Sequence, residues 1–343
     1  MKDIKDYSYE ELRKILEEEG FLPFYAKQIF SWIYKKRVED FNKMTDISQS
    51  CRAFLKKNFF FSSLELVKEE TSCDGTRKFL FQLDDNYRIE TVVIPESKRK
   101  TLCVSTQVGC RFRCSFCVSG LTGFKRNLRV SEIVNQYLYV RDWMGKNSIT
   151  NIVFMGIGEP LDNFENVVKS IRIFQNPWGI YFGKRRICVS TIGLLPKIIE
   201  FYKLNLGIKL SISLHSANSQ KRLKLMPGVK DNPLEELIST LKKCSKKDKF
   251  PLTFEYIMIG GVNSSIDDAK ELANLVKGWN CKINLIPYNP SRFFSWQVPS
   301  QNDIEQFKDV LKKQNVFFTL RKSKGQDILA SCGQLRAESK EFD

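Results

Sequence analysis

The stretch GCRFRCSFC places Cys110, Cys114 and Cys117 together, in a chain of 343 residues with a single histidine, His215. Thiolates spaced C-x3-C-x2-C in one loop are suited to a metal centre. A closed zinc site needs a fourth Cys or His, and His215 lies far along the chain at the end of another apolar segment. A [4Fe–4S] cluster held by three cysteines is the second reading, and it leaves one iron open to a substrate. On spacing alone both readings stand.

The chain has ten cysteines. The others, Cys103 and Cys332 among them, are scattered singly, and a lone thiol is by default a small buried hydrophobe. Disulfides are not expected in a reducing compartment. A second candidate element is MGIGEPLDN, where Gly158 lets the backbone approach a ligand closely and Glu159 can accept from an ammonium group.

These residues need elements to hold them. From about residue 100 short β-branched segments alternate with amphipathic ones: TLCVSTQV then VSEIVNQYLYVRDW, NIVFMG then NFENVVKSIRIF, RICVST then LLPKIIEFY. GIKLSISL, LTFEYIMI and KINLIP continue the series, each followed by a helical pattern, and VFFTLRK reads as a seventh strand. Repeated βα units give a parallel sheet. A full barrel of this kind needs eight units, so six predict an α/β fold built as a partial, open barrel. Asn163, Asn232 before Pro233, and Ser264 are the expected helix caps. Ligand sites in such folds lie past the C-terminal ends of the strands, which is where the cysteine loop and Gly158-Glu159 fall.

Residues 1–62 read as a small helical accessory unit, with Lys27, Lys35, Lys36 and Arg37 interleaved with Phe24, Tyr25, Trp32 and Tyr34. Such interleaving suits RNA contact and equally a small core with snorkelling lysines. Residues 63–98 read as a β-hairpin extension turning at Asp84-Asp85-Asn86, and 99–343 as the barrel with its C-terminal loop. The formal charge of +16 favours a polyanionic partner. The charged N-terminal stretch lacks a signal-peptide core, and no apolar run reaches membrane-spanning length, so a cytoplasmic protein is expected.

The C-x3-C-x2-C loop after a strand resembles the signature of the radical S-adenosylmethionine superfamily. More narrowly, ETVVIPE, TLCVSTQVGCRFRCSFC, RNLRVSEIV, FMGIGEPLDN, VSTIGLLP, SLHS, CKINLIPYNP and DILASCGQL are similar to the RlmN/Cfr family of RNA methyltransferases. The resemblance implies that Cys110, Cys114 and Cys117 hold a [4Fe–4S] cluster whose open iron chelates S-adenosylmethionine, with Gly158, Glu159, Ser190, Ser213, Leu214, His215 and Asn289 as further cofactor contacts. It implies two S-adenosylmethionine molecules per turnover: one methylates Cys332, and one is cleaved to a radical that activates the methyl group. The methylene radical formed on Cys332 then adds to C2 of an adenosine, Glu90 removes the C2 proton, and Cys103 resolves the adduct through a disulfide.

The implied substrates are 23S rRNA near the peptidyl-transferase centre and tRNA beside the anticodon, with a flavodoxin-type electron donor and no membrane. C8 methylation of the same adenosine is the alternative within the family, and a zinc-containing RNA-binding protein the alternative outside it. SRFFSWQVPS, after Asn289, departs from the family's pattern, and the first sixty residues match it only in general character.

Overall fold

Alternating apolar segments become strands in the computed structural model, which describes residues 1–146, 148–247 and 250–336. Helices α1 (Tyr9–Glu18), α2 (Tyr25–Phe30) and α3 (Gln49–Asn58) come first. Strands β1 (Glu65–Thr71), β2 (Arg77–Gln82) and β3 (Arg88–Glu96) follow as an antiparallel meander. Then come β4 (Arg99–Val104), β5 (Asn151–Phe154), β6 (Ile187–Thr191), β7 (Lys209–Ser213), β8 (Leu252–Met258), β9 (Cys281–Pro287) and β10 (Phe318–Leu320). These ten strands form one sheet in which spatial order equals chain order, antiparallel up to β4 and parallel from β4 to β10. Among the described residues β10 pairs only with β9, so the barrel stays open, as the six-unit pattern predicted.

The crossovers are α4 (Val130–Met144), α5 (Phe164–Gln175), α6 (Leu195–Lys203), α8 (Leu234–Cys244), α9 (Ile266–Val276) and α10 (Gln301–Lys313). A short additional helix, α7 (Ser219–Leu225), precedes α8. The helix-facing side of the sheet is apolar: Ile152, Phe154, Ile187, Val189, Ile212, Phe254, Ile283 and Leu285 are fully buried. The concave side is polar. Glu255 Oε2 accepts from Asn284 Nδ2 at 2.6 Å, and Thr319 Oγ1 donates to Asn284 Oδ1 at 3.0 Å. Parallel strands covered on both faces usually read apolar throughout, so this polar inner ladder marks a ligand cavity.

The stretch expected to be one hairpin is a meander with two turns. Asp84-Asp85-Asn86 makes one, with Asn86 in the left-handed region at φ 66°, and Cys73-Asp74-Gly75 makes the other. Its strands join the barrel sheet directly through β3 and β4.

None of the three expected caps bonds its helix through the side chain. Asn163 stands at the N-cap position of α5, but its side chain makes no capping bond and donates its amide to the carbonyls of Thr106 and Leu128. Asn232 accepts from the N–H of Leu195 at 2.8 Å. Ser265, not Ser264, caps α9, in a reciprocal box with Asp268. Two capping-type side chains were recruited to tie loops together, a tertiary demand that outweighs the local one.

In the N-terminal unit all four of the singled-out bases are engaged within the chain. Lys27 lies over the Trp178 ring, Lys35 donates to Pro177 O, Lys36 lies over Trp32, and Arg37 pairs with Asp142 at 2.8 Å. No helix among the described residues is long and apolar enough to cross a membrane. The last residues of the segment assigned to the barrel, 337–343, lie outside the described residues.

Candidate active site

The loop after β4 carries Cys110, Cys114 and Cys117 onto one cavity at the C-terminal ends of the strands. All three are free thiols, packed against Phe112, Phe116, Leu225 and Met226. Burial pushes the Cys110 thiol up to about 12 and raises Cys114 and Cys117 as well. Three desolvated thiols side by side become thiolates only when bound cations supply compensating charge.

Among the described residues no three Cys, His, Asp or Glu side chains close around one point as a single metal ion would require. A four-iron cube asks for a looser set, since each thiolate binds its own iron, and the donor set present fits it. Arg222 supplies a second sign of a missing acceptor. It is 1% exposed, its Nη2 donates to Ile192 O at 2.6 Å, and its buried Nε has no partner among the described residues.

The cofactor contacts expected from the sequence divide into two groups. Gly158, Glu159, Ser190, Ser213 and His215 line the same cavity as the cysteines. Gly158 has φ 102°, and a Cβ there would stand 2.5 Å from Gln107 Cβ, so only glycine fits. Glu159 is 3% exposed; its Oε1 accepts from Leu161 N–H at 3.0 Å and its Oε2 from Ile192 N–H at 2.9 Å. Burial nonetheless raises its pKa to about 7, the hydrogen bonds only partly offsetting desolvation.

Burial and then Arg222 lower the pKa of His215 to about 3. Its Nδ1 accepts from the Ile257 N–H at 3.1 Å. The neutral ring therefore carries its proton on Nε2, which makes that atom a donor. Leu214 and Asn289 do not line the cavity. Leu214 is fully buried with its N–H on Glu255 O, and Asn289 donates from Nδ2 to Cys332 O at 3.2 Å.

Cys332 lines the cavity on a loop fastened at several points. Val118 N–H donates to Gly333 O at 2.8 Å, Ser119 Oγ donates to Leu335 O at 2.7 Å, and Gln334 Nε2 donates to Pro290 O at 2.7 Å. At its far end the Gly325 N–H donates to Asp74 Oδ2, in the first turn of the meander. Cys103 is buried with Val92, Ile157, Ala330 and Leu335, beneath that loop, and burial pushes its thiol up to about 12. Glu90 lies two residues before Val92, which pairs with Cys103 across β3 and β4, so Glu90 and Cys103 share one face of the sheet. Glu90 lies outside the cavity lining, under the same loop, with Oε2 accepting from the Arg336 N–H at 2.7 Å.

Sequence reading missed Glu255 and Arg321, which also line the cavity. Arg321 Nη1 lies 3.5 Å from Cys332 Sγ, and burial raises the pKa of Glu255. An acid inside LTFEYIMI was the available signal for Glu255. Arg321 carried none, because its partner is eleven residues away in a loop.

Residues 104–276 match the radical SAM superfamily, and residues 2–60 match the ribosomal RNA large subunit methyltransferase N-terminal domain. A probable dual-specificity RNA methyltransferase RlmN of Dictyoglomus turgidum is 42% identical over 98% of this chain and 97% of its own. The Staphylococcus aureus protein of the same name is 40% identical over 100% of this chain and 94% of its own. A crystal structure of a radical SAM methyltransferase from Sphaerobacter thermophilus superposes with a TM-score of 0.90 at 39% identity, covering 98% of this chain and all of that one. The N-terminal sixty residues, which matched only in general character by motif, are thus part of the likeness. Agreement of this extent, from the first helices to the cysteine loop, means that the chain belongs to the RlmN family of radical SAM RNA methyltransferases.

Proposed function

We propose that the protein methylates C2 of adenosine in 23S rRNA and in tRNA, through a methylated cysteine, using two S-adenosylmethionine molecules per turnover and a flavodoxin-type electron donor. The observation that carries this reading is the convergence of Cys332, the Cys110–Cys114–Cys117 loop and Glu159 on one cavity. When bound, the cluster would supply one electron and take back the unpaired electron left on the adduct, and S-adenosylmethionine would supply the methyl group and the radical that activates it. Cys110, Cys114 and Cys117 hold the cluster.

Glu159 receives the ammonium end of the cofactor, Ser190 and Ser213 offer hydroxyls, and His215 donates from Nε2. Leu214 and Asn289 act from behind the cavity wall. Cys332 accepts the methyl group on sulfur, carries it to the adenine, and so joins protein to RNA. Glu90 takes the C2 proton. Cys103, as the thiolate, attacks the Cys332 sulfur; the disulfide forms, the electron pair of the broken carbon–sulfur bond leaves with the methylene carbon, and that carbon takes a proton to become the methyl group.

C2 lies between two ring nitrogens and is electron-poor, so a carbon radical reaches it where a polar methyl donor does not. The charge of +16 supports a polyanionic substrate. Digestion of RNA after reaction, followed by mass spectrometry of its nucleosides, tests the reading. 2-Methyladenosine in both rRNA and tRNA is expected; 8-methyladenosine as the sole product overturns the C2 assignment.

A further inference from the structure

The antiparallel meander contributes one residue, Glu90, to the proposed chemistry, yet it carries an ordered line of charge that the chemistry has not used. Glu90 is 4% exposed, and its Oε1 lies 3.1 Å from Lys78 Nζ on the neighbouring strand. Lys78 Nζ lies 3.2 Å from Glu70 Oε2 on the strand beyond, where Glu70 and Lys78 are register partners. Glu70 Oε1 lies 3.0 Å from Lys68 Nζ. Side-chain exposure rises along the line, from 5% at Glu90 through 10% at Lys78 and 29% at Glu70 to 62% at Lys68. Glu90, Lys78, Glu70 and Lys68 therefore alternate in sign across three strands, from beneath the Cys332 loop to solvent.

We propose that Lys78 is the positioning residue of the base Glu90, and that Glu70 is the outer end of the route by which the adenine proton leaves the site. The proposal rests on the reading of Glu90 as that base. A buried ion pair is weak evidence for stability, since well-packed apolar residues serve a core as well or better. A base that is closed off from water has two other needs. Its carboxylate must be unprotonated when the adduct forms, and the proton it takes must then be removed.

Lys78 answers the first need by holding the charged form of Glu90 against desolvation. The groups facing Glu90 are Lys78 from β2, Glu70 from β1, the main-chain N–H of Arg336 from the C-terminal loop, and Ser105 from β4, whose hydroxyl donates to the Glu90 carbonyl. Burial outweighs the cation and the N–H, and the carboxyl comes to about 7, close to the value at which a general base works best at neutral pH. Glu70 answers the second need. The C2–H bond breaks, its electron pair stays with the ring, and the proton goes to Glu90. Lys78 is already an ammonium, so it hands one proton to Glu70 as it takes the one from Glu90; Glu70, held below the ordinary carboxylate range by Lys68 and Lys78 in spite of partial burial, passes that proton on to water, and every group returns to its starting charge.

The test is the pH dependence of product release from the covalent RNA adduct, followed in single turnovers of the reconstituted enzyme. The parent should show release rising with pH through a midpoint near 7. Lys78→Met removes the cation, so the midpoint moves up by about one pH unit or more, and Lys78→Arg keeps it near the parent's. Lys78→Gln gives the same reading should Lys78→Met not accumulate as folded protein. Glu90→Gln should hold the adduct at every pH. Normal release by Glu90→Gln removes the base reading and this inference with it. Adduct retention by Glu90→Gln, together with an unmoved midpoint in the uncharged Lys78 variants, overturns this inference alone.

Discussion

The main-chain N–H of Val118 donates to the carbonyl of Gly333 over 2.8 Å, so the loop that carries Cys332 is fastened to the residue after Cys117. The parts of the site proposed to accept the methyl group and to bind the cluster are thereby joined by a backbone contact, alongside the side-chain bonds of Ser119 and Gln334. Gly333 sits at φ 83°, and a Cβ there would stand 3.1 Å from Phe116 O. Gly333→Ala should cost about 1–2 kcal/mol in the docked loop. Methylation of Cys332 should fall about tenfold while iron content stays at the parent level, both read on the same preparation.

Arg321 holds the other side of Cys332, with Nη1 3.5 Å from the sulfur. Loss of a contact to a charged group costs roughly 1.5 kcal/mol or more. Arg321→Met should therefore slow methyl acceptance by about tenfold, and Arg321→Lys should recover part of it. Equal rates in all three proteins would leave Arg321 with packing alone.

In its proposed role Glu159 should give cofactor binding a pH dependence. Its folded-state pKa is raised to about 7 by burial, so the protonated form prevails below that value, and a neutral carboxyl cannot pair with an ammonium. S-adenosylmethionine affinity should weaken as pH falls through about 7 and level off above it. Equilibrium binding to the anaerobic protein measures this. Glu159→Gln should bind weakly at every pH and lose the dependence.

The segment SRFFSWQVPS, which departs from the family's pattern, lies over the cluster loop. Trp296 donates from Nε1 to Ser115 O at 2.7 Å and packs with the apolar residues around Cys110, Cys114 and Cys117. Trp296→Ala should expose that loop and speed loss of the cluster's visible absorption in air several-fold. The rate of bleaching in parent and variant decides it.

Much of this site was legible because its signals are local. Cys110, Cys114 and Cys117 fall within eight consecutive residues, Gly158 and Glu159 are adjacent, and the strand–helix alternation recurs six times before β10. The rest depends on pairings between distant segments. Arg321 matters because of a loop eleven residues on, and Lys78 because of Glu70 and Glu90 on strands to either side. Asn163 and Asn232 misled for the same reason: each had the side chain of a cap, and each was used to tie two loops. Charge and aromatics near the N-terminus pointed outward in sequence, yet Lys27, Lys35 and Arg37 are turned onto the barrel.

In the proposed mechanism Cys332 carries the methyl group to RNA and Cys103 releases it. Mass spectrometry of the Cys103→Ala variant after reaction with RNA tests it most directly. An RNA fragment covalently attached through a methylene bridge to Cys332 is expected, with no attachment in the Cys103→Ala, Cys332→Ala double variant. Methylated RNA released freely by Cys103→Ala, with Cys332 never modified, would contradict it.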